Sequence, residues 1–305
     1  MTNPDEDLYV ACVHGDVNAA NTAIDRGATD WNRGLCGACL GRQVTLANMM
    51  IAHGATNWNW GLYGACYGGH FKLAELMIER GAKCWDWCLH AACEGGQVAL
   101  ANMMIERGAT DWNLGLYCAC KGGHVELVNM MVERGTTDWD WGLHGACEGG
   151  QVALANMMIE RGATNWNWGL YGACKGGHIV LANMMIERGA TNWNLGLYGA
   201  CKGGHIVLAN MMIERGATDW DSARYVSRNM KEYIKAQWKL HDAKSVPIIR
   251  MLRRFIMRLH SAKQIQHWWH GSYPLWRELA YAPPNGLRYR QSLKHFEKLK
   301  ILKLF

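Results

Sequence analysis

The chain has 305 residues, half of them hydrophobic, and a formal net charge of +6 at pH 7. This composition excludes a disordered polymer, and the lack of any apolar run near ~18 residues excludes a helical membrane span. The charge is split: residues 1–221 carry 14 Lys and Arg against 22 Asp and Glu, and residues 222–305 carry 18 against 4.

The chain opens on Met1-Thr-Asn-Pro-Asp-Glu-Asp. This stretch lacks the basic start and apolar core of a signal peptide, so a cytoplasmic protein is expected. A strict period then takes over. Cysteine recurs every 27 residues at Cys12, Cys39, Cys66, Cys93, Cys120, Cys147, Cys174 and Cys201. Glycine keeps the same step from Gly27 to Gly216, and tryptophan from Trp31 to Trp220. A period of this length marks a stacked array in which each small unit buries its apolar face against its neighbours. Packed helices lie about 8–10 Å apart, whereas bridged cysteines need Cα atoms within about 7 Å. The thiol ladder therefore reads as core filling in a reducing compartment rather than as disulfides. Cys36-Gly-Ala-Cys39 is a C-x-x-C, but no second such pair completes a zinc set. The additional Cys84, Cys88 and Cys118 read as drift within their columns.

The unit from Gly61 to Trp87 illustrates the local structure. A short first helix is expected over about Leu62 to Tyr67, broken at Gly68-Gly69. A second is expected from Phe71 to Arg80, with Leu73, Ala74, Leu76, Met77 and Ile78 on a broad apolar face. Gly81 reads as a left-handed helix stop. The Asx residues flanking each tryptophan suit a turn and the start of the next helix.

The recurring A-C-x-G-G-H-x-x-L-A-x-x-M-I-E-R-G-A resembles the ankyrin repeat, and Leu89-His90-Ala91-Ala92 resembles its L-H-x-A stretch. The resemblance covers Leu8 to about Asp221. It implies helix-turn-helix pairs, a binding role toward other proteins, and no catalysis or cofactor. The ankyrin period is about 33, and the shortfall here falls where ankyrins place a projecting β-hairpin. The expected fold is therefore an all-α, ankyrin-like solenoid of eight helix-turn-helix repeats without projecting hairpins over residues 1–221, followed by a basic helical domain over residues 222–305. Short arrays rich in W-N-x-G-L-Y-G-A-C, and the later Ile265-Gln-His-Trp-Trp269, resemble proteins of large DNA viruses that infect amoebae.

Two versions of the unit alternate between Gly61 and Gly177. One pairs Tyr63, Tyr117 and Tyr171 with His70, His124 and His178, and the other pairs His90 and His144 with Gln97 and Gln151. These types exchange donors and acceptors, which suits a hydrogen-bonded register, with a pH sensor or metal ladder as the alternative. Tyr67, Glu94, Lys121, Glu148, Lys175 and Lys202 share one position of the unit, and most alternate in sign. With Trp60, Trp87, Trp141 and Trp168, which occur in only half the turns, they form the candidate partner-binding set. Those four tryptophans serve either as exposed anchors or as packing. The eight periodic tryptophans are expected to stack as a buried column.

In the tail, Arg250, Arg254 and Arg258 recur every fourth residue beside an apolar stripe of Ile249, Leu252, Ile256 and Leu259. Together with Arg253, Lys298, Lys300 and Lys303 they form a candidate anion-binding set, for nucleic acid, a membrane surface or an acidic partner. The alternative is an atypical cap on the end of the array. No phosphate loop, nucleophile elbow or paired-carboxylate motif stands out. Three roles fit these features: an interaction scaffold, a virion-associated component docking through its tail, and an adaptor of a host ubiquitin ligase.

Overall fold

The computed structural model describes residues 3–219. The expected tail helices and Arg250, Arg253, Arg254, Arg258, Lys298, Lys300 and Lys303 lie outside the described residues. Within them the chain forms sixteen α-helices and no strand. The first six are α1 (Pro4–His14), α2 (Val17–Asp25), α3 (Trp31–Leu40), α4 (Val44–Ala52), α5 (Trp58–Gly68) and α6 (Phe71–Glu79). Next come α7 (Trp85–Glu94), α8 (Val98–Glu106), α9 (Trp112–Gly122), α10 (Val125–Glu133) and α11 (Trp139–Gly149). The last are α12 (Val152–Glu160), α13 (Trp166–Gly176), α14 (Ile179–Glu187), α15 (Trp193–Gly203) and α16 (Ile206–Glu214). The fold is all-α and solenoid-like, made of helix-turn-helix pairs. The chain divides into two compact units, Met1–Gly172 and Ala173–Phe305.

Each odd helix from α3 onward begins at its tryptophan, earlier than expected. The cause is the Asx residue that precedes it in most units. Asn57 accepts from the Trp60 amide at 3.1 Å, Asp30 from Arg33 at 3.0 Å, and Asp111 from Leu114 at 3.2 Å. This cap satisfies an orphan N–H and draws the Trp-Asx-x-Gly stretch into the first turn. The even helices end as expected: Arg80 closes α6, and Gly81 follows with φ of 108°.

In the first unit α1, α3, α5, α7, α9 and α11 stack in order, and even helices pair with odd ones. The core is a set of columns. Leu35, Leu62, Leu89, Leu116 and Leu143 line the odd helices beside Cys39, Cys66, Cys93, Cys120 and Cys147. Leu73, Leu100, Leu127 and Leu154 line the even ones beside Met77, Met104, Met131 and Met158. In the second unit Leu197, Cys201, Leu208 and Met212 repeat the pattern as α15 pairs with α16.

The stacked odd helices touch backbone to backbone. A Cβ at Gly149 would overlap the Lys121 carbonyl, and one at Gly145 would overlap that of Tyr117. Where the Gly145 column holds Ala91 or Cys118 instead, α7 packs less closely on its neighbours than α5 does on α3 or α11 on α9.

The periodic tryptophans do not form the expected buried column. Those of the described residues are half-buried, and arginines from the ends of the paired helices cover several of the rings. Arg80 lies over Trp58 at 5.1 Å, Arg107 over Trp85 at 5.8 Å, Arg134 over Trp112 at 5.6 Å, and Arg161 over Trp139 at 5.4 Å. At these distances the guanidinium is attracted to the ring face while its stem covers apolar surface.

Candidate functional site

The third, sixth and tenth residues of each odd helix fall on one face, because residues three and four apart are neighbours on a helix. On α5 these are Trp60, Tyr63 and Tyr67, and on α7 Trp87, His90 and Glu94. On α9 they are Leu114, Tyr117 and Lys121, and on α11 Trp141, His144 and Glu148. Stacking the odd helices makes these rows continuous within the first unit.

The tryptophans of this face differ in placement. Trp60, Trp87 and Trp168 are 39%, 40% and 40% exposed, and Tyr67 is 38% exposed. Trp141 is half-buried. The sequence treats the four as equivalent, and the difference comes from their neighbours. Trp87 is backed on one side by Tyr63, stacked at 4.5 Å. Trp141 is enclosed by Tyr117 at 5.6 Å, Trp168 at 5.7 Å and His144 at 6.3 Å.

The charged row comes together over Glu94, Lys121 and Glu148. Lys121 Nζ lies 2.9 Å from Glu94 Oε1 and 3.5 Å from Glu148 Oε1. Burial pulls the Lys121 ammonium down, but the two carboxylates outweigh it and hold it above its ordinary value. Glu148 is only 8% exposed, so it is not a surface contact. Its carboxylate instead accepts from Tyr117 Oη at 2.7 Å and lies 3.6 Å from His144 Nε2. Burial, followed by the Glu148 carboxylate, pushes the Tyr117 phenol up. A buried carboxylate is tolerated because its charge is matched on several sides. Lys175 is half-buried, and Lys202 is exposed with its Nζ 6.0 Å from the Tyr198 ring centre.

In the Tyr/His version of the unit the histidine bonds to a backbone carbonyl. His70 Nε2 meets the Leu40 carbonyl at 2.9 Å, and His124 Nε2 meets that of Glu94 at 3.0 Å, each reaching the preceding unit. Gln97 and Gln151 bond locally, donating to the Gly95 and Gly149 carbonyls. Burial pulls His70 below its ordinary value. Burial does the same to His90, opposed by Asp111, whose carboxylate lies 3.3 Å away.

Sequence reasoning missed a second Asx ladder, which holds the face in register. Asn32 Oδ1 accepts from the amides of Thr56 at 2.9 Å and Asn57 at 2.8 Å. Asp86 accepts from Thr110 and Asp111, and Asp140 from Thr164 and Asn165. In the second unit Asn194 accepts from Thr218 and Asp219. Thus in Asx-Trp-Asx the first residue caps its own helix and the second ties down the next unit's loop. The signal was present in the second Asx of every turn.

Among the described residues no group of three His, Cys, Asp or Glu side chains is placed to hold a metal ion. Nor is any described helix long and apolar enough to cross a membrane. Burial pushes the C-x-x-C thiols up, Cys36 to about 11 and Cys39 to about 12, so at neutral pH both are protonated and inert.

Comparison with known proteins gives a likeness to solved structures only. No family model matches the chain, and no curated protein matches it. Among solved structures the chain is similar to the crystal structure of the human ASB11 ankyrin repeat domain. The two are 26% identical over 51% of this chain and 83% of that one, with a TM-score of 0.36.

Proposed function

We propose that the protein is a non-enzymatic, cytoplasmic scaffold that binds another protein along the odd-helix face. The observation that carries this reading is the exposure of Trp60, Trp87 and Trp168 on rigid helices, with Tyr67 beside them. Large aromatic rings held in place bind at low entropic cost and dominate interface energies. The buried Glu148 lies 3.6 Å from His144, whose ring meets Trp168 at 5.5 Å, and so supports one of these rings. Partner capture and titration with the full chain test the reading. Trp60→Ala and Trp87→Ala should each weaken binding by about 2 kcal/mol, roughly thirtyfold. Unchanged affinity in the double variant would contradict it.

A second reading rests on the charge split. The 18 basic residues after position 221 suit an anionic surface, as in a virion-associated protein that docks on nucleic acid. Binding of nucleic acid that falls steeply with salt would support it, and no binding at low salt would remove it.

A further inference from the structure

Two departures from the repeat meet at the head of α7. The residue before the periodic tryptophan is Asx in the other units, as at Asp30, Asn57, Asp111 and Asp138, but here it is Cys84, which makes no side-chain cap. Four residues on, glycine makes room for the methionine of the paired helix, as at Gly61 beside Met77 and Gly142 beside Met158. Here that position is Cys88, with no exposed surface. Core filling or drift accounts for either change alone. It does not account for both in one unit with their Sγ atoms 2.9 Å apart.

We propose that Cys84 and Cys88 form a thiol–disulfide exchange site that accepts a low-molecular-weight disulfide. Access sets the order of events, because Cys84 is part-exposed and Cys88 is buried. The Cys84 thiolate attacks one sulfur of the external disulfide RSSR. A Cys84–SR bond forms, the external S–S bond breaks, and RS⁻ leaves and takes up the proton that Cys84 released. Cys88 then attacks the Cys84 sulfur, displaces the second RS⁻ and passes its proton to it. Two protein thiols are oxidised, and one external disulfide is reduced to two thiols.

The surroundings favour Cys84 as the attacking group. The hydrogen bond from Cys88 holds its thiol below the ordinary value, although burial opposes this. The head of a helix favours the thiolate in the same way. By contrast, burial pushes Cys118, Cys120 and Cys174 up to about 12. The ring closed by the new bond contains Trp85, Asp86 and Trp87. It would therefore stiffen the turn that presents one exposed anchor and one register residue. The proposal stands whether or not that face binds a partner.

The test uses the full chain incubated with oxidised glutathione, followed by alkylation, trypsin and mass spectrometry of the peptide from Cys84 to Arg107. The expected product is a Cys84–Cys88 disulfide with Cys93 alkylated, formed about tenfold faster than any buried ladder thiol is lost. Cys88→Gly should accumulate the Cys84–glutathione mixed disulfide that the unmodified chain resolves, and Cys84→Asn should form neither product. Both variants restore the residue other units carry, and matching circular dichroism checks their fold. The proposal is overturned if Cys84 and Cys88 in the unmodified chain stay reduced as long as the ladder thiols do. A mixed disulfide that persists at Cys84 in the unmodified chain overturns it equally.

Discussion

Asp86 accepts two amides from the loop that opens the next unit, and nothing in a simple apolar repeat would replace it. Asp86→Ala leaves the Thr110 and Asp111 amides without that acceptor. It should cost about 1–3 kcal/mol in a denaturant melt, whereas Asp86→Asn, the residue other units use, should cost well under half of that. His70 carries a pH dependence. Its folded value lies below the unfolded one, near 6.5, because burial disfavours the cation. Its contribution is therefore complete above the unfolded value and is lost as pH falls through the folded one. The melting temperature should therefore fall as the pH is lowered through and below that unfolded value. His70→Gln, the residue of the alternate unit, should flatten part of that drop, with His90 supplying more. The charged and aromatic residues of the face could be picked from their spacing. Which of them are buried could not, since Trp60 and Trp141 read alike until their neighbours are placed around them.

At the scale of the helix, the apolar spacing and the glycine breaks were enough to expect helix pairs and the Gly81 stop, while the absence of hairpins was what the resemblance to ankyrin repeats implied for so short a period. The start of the odd helices was misplaced because a Trp-Asx-x-Gly stretch has weak helix propensity. The Asx cap and the close backbone contact override that weakness. Glycine in these helices is a packing residue, and the two columns differ in strictness. Gly145→Ala should destabilise by about 1–3 kcal/mol because the added methyl meets the Tyr117 carbonyl. Ala91→Gly, at the same position of a looser pair, should change the melt by less than half as much.

For the molecule as a whole, register is carried by bonds and columns that repeat every unit rather than by any one site. Asn32, Asp86 and Asp140 each join one unit to the next with the same geometry. Whole units should therefore be removable, as nearest-neighbour stacking predicts. The most direct measurement is circular dichroism and thermal unfolding of a chain lacking residues 81–107. This deletion joins Arg80 to Gly108 and removes one complete period. The shortened chain should keep its helicity per residue and melt cooperatively, while deletion of residues 81–93, half a period, should collapse both. Loss of helicity on removing the full period, or its retention on removing the half, would contradict register carried by repetition.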